Sequence, residues 1–256
     1  MILTVVGSGT VAPSRDRTAP AHWVEAGAVR LLMDCGAGVL HRAASFDVPW
    51  HSVTHVALTH FHPDHWGELP MLLFALRWGV EPRRTAPLTI LGPVGLRARL
   101  EAAANAFGAW VLEPEYPLAV EEVAPGTTVA LDAATELETC KTPHTDESMA
   151  LGLRHAGARL VYTGDTGESE ALARWAGGCD LLLAECSLPD HRAVPLHLTP
   201  ARAGELAAAC NAKRLVLTHF YPVFDEVDPV AVAARAFEGE ITAARDGDRF
   251  TVTAGT

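Results

Sequence analysis

The residues most suited to chemistry lie together in one short segment, Leu-Thr-His-Phe-His-Pro-Asp-His, at positions 58–65. It places three imidazoles and one carboxylate within six residues: His60, His62, Asp64 and His65. These side chains are ligands that suit zinc, manganese or iron. Because neighbouring side chains point in different directions, the four cannot all reach one ion. The spacing therefore predicts two adjacent metal ions rather than a run of solvated loop histidines.

Three further candidate ligands also follow apolar runs. They are His144 in Thr-Pro-His, Asp165 after the run 160–162, and His219 after the run 215–217. With the first four they make five histidines and two aspartates, about the number that two ions with open positions for water and substrate need. His219 stands in a second copy of the tetrapeptide L-T-H-F, which also opens the histidine cluster. We expect the two copies to bring equivalent strand ends to one place.

The elements that must position these residues are strands alternating with helices, which indicates the α/β class. The predicted strands are Ile2–Val6, Val29–Met33, Val53–Leu58, Leu88–Leu91, Leu160–Tyr162, Leu181–Ala184 and Leu215–Leu217. The predicted helices are Leu69–Trp78, Gly95–Phe107, Ser169–Ala176, Pro200–Cys210 and Pro229–Ala236. Residues 113–139 are expected to form short antiparallel strands and turns. No stretch is typical of a linker, so residues 1–256 are predicted to form one domain.

Composition excludes several classes of protein. The 256 residues are 49% hydrophobic and 20% charged, as in a globular protein with a sizeable core. The formal net charge of −11 disfavours a protein that binds long nucleic acids by neutralising phosphates. Five scattered cysteines without a C-x-x-C favour reduced thiols over disulfides. No apolar run approaches a membrane span, and no signal peptide is recognised, so we expect a cytoplasmic protein without membrane contact.

The motif H-x-H-x-D-H and the later His, Asp and His resemble the metallo-β-lactamase-fold superfamily in type and order. The resemblance implies a four-layer αββα sandwich, two mixed sheets with helices outside, and a dinuclear site along one edge. Within the superfamily the chain is similar to the ribonuclease Z branch and its phosphodiesterase relatives. The segments that carry this similarity are 7–17, Asp34-Cys-Gly-Ala-Gly38, Ala184-Glu-Cys-Ser187 and His197-Leu-Thr199.

The resemblance also implies a role for each ligand. One metal would be bound by His60, His62 and His144. The second would be bound by Asp64, His65 and His219, and Asp165 would bridge both. Two divalent ions are expected, with zinc favoured and manganese or iron as alternatives.

Beyond the ligands, the resemblance implies catalytic and supporting residues. Asp64 would accept a proton from the nucleophile, and His197, held by Glu185, would protonate the leaving oxygen as a general acid. Asp34 would orient a ligand histidine, a role that suits a carboxylate near a metal. Arg15 or Arg17 would hold a phosphate near the mouth of the site, with a solvated loop arginine as the alternative.

The predicted function is hydrolysis of a small phosphodiester or nucleotide by a metal-activated hydroxide. Ribonuclease Z carries a basic arm that grips tRNA, whereas the corresponding interval here contains acidic residues at 113, 115, 121 and 122. The alternatives are a carboxylic ester or lactone hydrolase on the same fold, ribonuclease Z-type tRNA 3′ processing, and a non-catalytic scaffold. A redox di-iron relative is disfavoured because the second ligand is His62. A homodimer is expected from the resemblance alone.

Overall fold

Two seven-stranded sheets form the centre of the computed structural model, which describes residues 1–224 and 227–255. The strands are β1 (Ile2–Gly7), β2 (Ala21–Ala26), β3 (Val29–Met33), β4 (His55–Ala57), β5 (Leu88–Gly92), β6 (Leu118–Glu122), β7 (Thr128–Ala130), β8 (Thr135–Lys141), β9 (Met149–His155), β10 (Ala158–Tyr162), β11 (Leu181–Glu185), β12 (Arg214–Thr218), β13 (Glu240–Ala243) and β14 (Arg249–Thr251). The first sheet has the order β14-β1-β2-β3-β4-β5-β6, and the second has the order β13-β12-β11-β10-β9-β8-β7. In each sheet three consecutive pairs are parallel and three are antiparallel.

Helices cover the outer faces of the two sheets. They are α1 (Val39–Ser45), α2 (Pro63–Trp66), α3 (Leu69–Trp78), α4 (Leu96–Phe107), α5 (Glu170–Trp175), α6 (Pro200–Ala209) and α7 (Pro229–Ala233). Short 3-10 turns span Trp50–Ser52, Ala109–Val111, Asp190–Arg192 and Pro222–Phe224.

Alternation along the strands separates three cores. In β4, Val56 faces the helices on its own side, whereas Ala57 faces the core between the sheets. In β12, Leu217 packs under the helices of the second sheet and Val216 packs between the sheets. Because side chains alternate with a period of two, strands covered on both faces must be apolar throughout. The predicted α/β class and αββα sandwich are confirmed.

Helices α6 and α7 each begin with a side-chain cap. Thr199 accepts a hydrogen bond from the Arg202 backbone N–H at the start of α6, and Asp228 does the same for two N–H groups of α7. Each cap is followed by proline at the first helical position. Proline suits that position because its missing N–H would have no partner within the helix.

The structure corrects one prediction and adds elements. Strand β6 pairs parallel to β5, so the expectation of antiparallel strands throughout residues 113–139 is wrong there, although β7 and β8 are antiparallel. The chain returns to the first sheet after α4, and Leu118 and Val120 pack against the helix-side core. Strands β2, β9, β13 and β14 and helices α1 and α2 were not predicted. One domain over residues 1–256 stays a prediction.

The loop between β1 and β2 is anchored by Asp246. The Asp246 carboxylate accepts hydrogen bonds from the Ser8 N–H and hydroxyl (2.9 and 2.7 Å), the Thr18 N–H (2.7 Å) and the Arg42 guanidinium (2.9 Å). Its side chain is 1% exposed. The acid therefore ties the first sheet's opening loop to the end of the second sheet.

We expect Asp246→Ala to lower the free energy of unfolding by about 2–3 kcal/mol, because it leaves several donors without their charged acceptor. Urea denaturation followed by circular dichroism measures this. Asp248→Ala, at a half-buried acid two residues away whose carboxylate accepts the Arg245 backbone N–H, is the matched control. Equal midpoints for the two variants would contradict the anchoring role.

Candidate metal centre

The candidate ligands meet at one edge of the sandwich, beyond the carboxyl ends of strands from both sheets. Two of them, His60 and His62, lie between β4 and α2, and Asp64 and His65 lie in α2. The others follow strands of the second sheet: His144 follows β8, Asp165 follows β10 and His219 follows β12. The two L-T-H-F copies thus end one strand in each sheet. Their histidines, His60 and His219, both approach Asp165, at 3.9 and 3.3 Å. Ligands predicted from distant parts of the sequence are therefore brought together.

The ligand atoms form two groups joined by one carboxylate. In the first group, atoms of His60, His62, His144 and Asp165 lie within 4.8 Å of one another, and in the second, atoms of Asp64, His65 and His219 do so. Asp165 Oδ1 lies 3.3 Å from the Nε2 atoms of His65 and His219. Asp165 Oδ2 lies 3.6 Å from His144 Nε2 and 3.9 Å from His60 Nε2. Each carboxylate oxygen thus faces one group, an arrangement suited to a bridging ligand.

Several of these atoms are buried without a hydrogen-bond partner among residues 1–224 and 227–255. They are the Nε2 atoms of His60, His65 and His219 and Oδ1 of Asp165. Buried polar atoms nearly always have a hydrogen-bond partner, so four unpaired atoms in one cluster need an explanation. A divalent cation supplies the missing partner for both imidazole nitrogen and carboxylate oxygen. The residues therefore fit a metal centre.

Protonation states also suit metal binding. Burial lowers the pKa of His60, and the neighbouring His65 lowers it further, so the ring stays neutral and offers a lone pair. Burial by itself would raise the pKa of Asp165, but His219 and His65 outweigh burial and lower it well below its ordinary value. Burial alone would lower the pKa of His65, but the charges of Asp165 and Asp34 raise it well above its ordinary value, so a cation bound there would displace a proton. An ionised carboxylate beside imidazoles is a donor set that binds zinc.

His197 and Glu185 form a pair beside this cluster. His197 Nδ1 lies 3.0 and 3.2 Å from the two oxygens of Glu185, whose side chain is completely buried. Glu185 also accepts the Thr166 N–H at 2.6 Å. His197 Nδ1 lies 4.0 Å from Asp165 Oδ2, and its ring stacks on His219 with centroids 5.9 Å apart. Because Nδ1 faces Glu185, Nε2 is the ring nitrogen left free for a substrate.

Asp34 contacts one of the proposed ligand histidines, His65. Its Oδ2 lies 2.7 Å from His65 Nδ1, as its expected orienting role requires, and both side chains are fully buried. The backbone of Asp34 and that of His219 have φ values of 59° and 62°. Left-handed backbone is uncommon outside glycine and is kept where surrounding contacts over-determine it. Nothing in the amino-acid pattern signalled that strain.

The two arginines that were candidates for holding a phosphate differ in environment. Arg17 donates hydrogen bonds to the Ser8 hydroxyl and the Ala244 carbonyl, both at 2.6 Å, and lies over the Phe220 ring at 4.5 Å. Its guanidinium therefore fastens the loop. Arg15 is exposed.

Sequence reasoning missed three hydroxyl side chains of the site: Thr59, Tyr162 and Ser187. Each is fully or almost fully buried. Two of them stand one or two residues from a predicted functional residue, in Thr-His and Glu-Cys-Ser, and that adjacency was the available signal.

Comparison with known proteins agrees with this geometry. A family model described as "Beta-lactamase superfamily domain" matches residues 29–220. Ribonuclease Z from Mycobacterium bovis (strain BCG / Pasteur 1173P2) is 31% identical over 277 residues, which cover 98% of each chain. The metallo-β-lactamase fold protein YhfI from Bacillus subtilis superposes with a TM-score of 0.84 at 23% identity, covering 97% of this chain and 98% of YhfI. The short form of human tRNase Z (ELAC1) gives 0.82 at 24% identity, covering 99% and 100%.

The chain belongs to the beta-lactamase superfamily, in its ribonuclease Z-like branch. The solved structures, at their low identity, support the sandwich fold alone. The family and the histidine–aspartate cluster together make the protein a metal-dependent hydrolase, as the sequence predicted. The fold implies divalent metal ions, and the histidine–aspartate cluster could hold them.

We expect the purified protein to hold two divalent ions per chain after dialysis against zinc, measured by inductively coupled plasma mass spectrometry. Asp165→Ala should lower the content to one ion or fewer, because both groups lose a shared ligand. Asp180→Ala, which removes a buried acid that pairs with Lys213, is the control and should keep two ions. One ion per wild-type chain at saturating zinc would contradict the dinuclear centre.

Proposed function

We propose that the protein is a dinuclear metal-dependent phosphodiesterase acting on a small phosphodiester or nucleotide. The observation that carries the proposal is His197, an imidazole fixed by the buried Glu185 and 4.0 Å from the shared carboxylate of Asp165. Hydrolysis of a phosphodiester must supply a proton to the departing oxygen, and a positioned imidazole does so. Attack on an ester or lactone carbonyl first forms a tetrahedral intermediate, and because no oxygen departs in that step it needs no acid at this position.

The proposed ligand sets follow the two groups of atoms. One ion would be held by His60, His62 and His144, the other by Asp64, His65 and His219, with Asp165 between them. When bound, the metals would supply hydroxide near neutral pH and stabilise the negative charge that develops at phosphorus.

The remaining chemistry belongs to the side chains around the cluster. Asp64 is ionised, because His219 and His65 lower its pKa although burial opposes them. It lies 3.7 Å from His219 Nε2 and would accept a proton from the attacking water. His197 would give its proton from Nε2 to the leaving oxygen, and Glu185 would keep the ring in place and stabilise its cationic form.

His197 is suited to act as an acid near neutral pH. Burial alone would lower its pKa, but the hydrogen bond and the negative charge of Glu185 outweigh burial, so the pKa is raised. The protonated form therefore persists to higher pH than for a free histidine, whose pKa is about 6.5. An activity that needs this proton falls as the pH rises through the raised value.

We infer a small substrate from charge. The net charge is −11, and in the part of the chain described here Arg17 is already engaged in the fold. Residues 109–122 belong to the interval in which ribonuclease Z carries its basic arm, and here they include a short turn and the edge strand β6 with several exposed acids. A long polyanion would meet repulsion there. The relatives named ribonuclease Z keep tRNA 3′ processing as the second candidate function.

We propose zinc as the metal, with manganese or iron as alternatives, because imidazole and carboxylate ligands accept all three.

Among the residues that the structure describes, none of the helices has the length and the apolar composition that a membrane span requires. A cytoplasmic location stays a prediction.

We also propose a homodimer, and an apolar groove offers the surface for it. The groove, between α3 and α4, has a volume of about 800 Å³. Phe74 is 43% exposed, Met71 51% and Phe107 61%. No proposed metal ligand lines it, although Pro63 and Trp66, which flank Asp64 and His65 in the sequence, do. Exposed apolar patches of this kind are typical of protein interfaces.

Charge favours a second copy as the occupant of the groove. Among the described residues that line the groove, Arg99 alone is charged, and it lies over the Phe61 ring at 3.9 Å and donates to the Gly95 carbonyl. The groove therefore has little charge with which to select an acidic or basic partner. Two chains of net charge −11 can meet with least repulsion across such a face.

The first prediction concerns substrate class. With zinc or manganese bound, bis-p-nitrophenyl phosphate and cyclic nucleotides should be hydrolysed at least tenfold faster than p-nitrophenyl acetate, a lactone or a tRNA precursor. A panel of initial rates at equal metal loading measures this, with Asp165→Ala as the background control. Fastest turnover of the acyl ester or lactone would reject the phosphodiesterase, and fastest cleavage of the precursor would support the second candidate.

A second prediction concerns the acid. His197→Ala should leave the metal content intact and lower kcat by about 10² or more, because one general acid contributes roughly that factor. It should also remove the alkaline decline of the rate, whereas Glu185→Gln should move that decline to lower pH. His191→Ala, an exposed histidine nearby in sequence, is the control. An unchanged alkaline limb in His197→Ala would remove this residue from the mechanism.

A third prediction concerns assembly. Phe74→Glu should convert a dimer to a monomer in light scattering coupled to size exclusion, because it places a charge in the apolar groove. Val11→Glu, at another exposed apolar position, should leave the dimer intact. A monomeric wild type would reject the second copy as the occupant.

A further inference from the structure

Two buried hydroxyls each lie between a buried carboxylate and a proposed ligand histidine. Thr59 Oγ1 is 2.9 Å from Asp34 Oδ2 and 3.0 Å from His60 Nδ1. On the second sheet, Ser187 Oγ donates to Glu185 and lies 2.8 Å from His219 Nδ1. Both hydroxyls follow the ends of strands that face the metal cluster.

The direction of the hydrogen bonds around Asp34 follows from its neighbours. Asp34 is approached by the Thr59 N–H at 2.8 Å, the Thr59 hydroxyl, the Tyr162 hydroxyl at 2.9 Å and His65 Nδ1 at 2.7 Å. A carboxylate surrounded by donors acts as an acceptor only. The single hydroxyl proton of Thr59 is therefore committed to Asp34, and its oxygen is left to accept a proton from His60 Nδ1.

The same logic applies around Glu185. Its oxygens accept the Thr166 N–H, the Ser187 hydroxyl and His197 Nδ1. The Ser187 proton is thus committed to Glu185, and its oxygen accepts from His219 Nδ1. In both cases Nδ1 carries the ring proton and Nε2 keeps the lone pair. Those Nε2 atoms are among the buried atoms that have no hydrogen-bond partner in the described residues.

Both sheets therefore contain the same hydrogen-bonding arrangement. Each contributes a fully buried carboxylate that holds one imidazole directly and a second through a hydroxyl. The direct pairs are Asp34 with His65 and Glu185 with His197; the relayed pairs are Thr59 with His60 and Ser187 with His219. A bond from Tyr162 of β10 to Asp34 links the second sheet to the first sheet's carboxylate.

We propose that Thr59 and Ser187 are positioning residues: each hydroxyl fixes the Nδ1–H tautomer and the ring orientation of one ligand histidine, His60 or His219. The proposal rests on the metal-binding part of the proposed function and extends it to residues that touch no metal. A hydroxyl suits the task because it donates and accepts at once. Partners of ligand histidines typically contribute 10–100-fold to metal affinity.

Two variants remove the relays and two conservative variants restore them. Thr59→Val and Ser187→Ala delete the hydroxyl, whereas Thr59→Ser and Ser187→Thr keep it. Thr135→Val is the matched control, because Thr135 is also a buried threonine that contacts a histidine, His155, at 2.9 Å away from the metal cluster. Zinc affinity is measured by competition with a chromophoric chelator. Tautomers are read in the metal-free protein from two-bond ¹H–¹⁵N spectra of the imidazoles.

We expect Thr59→Val and Ser187→Ala each to weaken affinity for one of two zinc ions by about 10–100-fold. The Nδ1–H signature should be lost for His60 in the first variant and for His219 in the second. Thr59→Ser and Ser187→Thr should recover most of the affinity, and Thr135→Val should match wild type. Recovery by the conservative variants would separate positioning from a general loss of packing.

Wild-type affinity and unchanged tautomers in both deletion variants would overturn the proposal. If those variants do not fold, the wild-type spectrum decides: an Nε2–H tautomer for His60 and His219 in the metal-free protein is incompatible with the relays. Failure to hydrolyse any phosphodiester with two ions bound would reject the proposed function and leave the relays in place. Failure to bind metal at all would reject both.

Discussion

The site depends on two carboxylates, Asp34 and Glu185, that are completely removed from water. A buried charge is costly unless every oxygen has donors, so the fold must bring hydroxyls, backbone N–H groups and imidazole N–H groups to these two points. The groups that satisfy the carboxylates also hold the histidines. Supplying donors to a buried acid and orienting a metal ligand are therefore one structural task.

Asp165 sets the second constraint. Its two oxygens face separate groups of imidazoles, and the Nε2 atoms of His60, His65 and His219 have no hydrogen-bond partner in the part of the chain that the structure describes. Cations that complete the cluster would stabilise it, which would couple metal binding to the stability of this edge. The left-handed backbone at Asp34 and His219 belongs to the same over-determined region.

Most of the proposed metal ligands could be predicted from the sequence, for physical reasons. The ligands His60 to His65 are close together because one strand end and a short helix present them, and His219 repeats the same strand end in the other sheet. The relays escaped prediction because they depend on which strand ends lie side by side: Thr59 reaches Asp34 across 25 residues of sequence, and Ser187 reaches His219 across 32. Strand β2 was missed because His22 interrupts its apolar pattern, although that ring is buried against Tyr162. The groove between α3 and α4 was missed because apolar helix residues normally predict core.

The fold alone does not specify a reaction, whereas the proposed metal ligands narrow the range of reactions that the site can catalyse. We propose that two ions bind, one on either side of Asp165. The most direct test is anomalous diffraction at the zinc edge from crystals of the zinc-loaded protein. The account predicts two peaks about 3.5–4 Å apart, one beside His60, His62 and His144 and one beside Asp64, His65 and His219. A single peak, or two peaks that do not share Asp165, would contradict it.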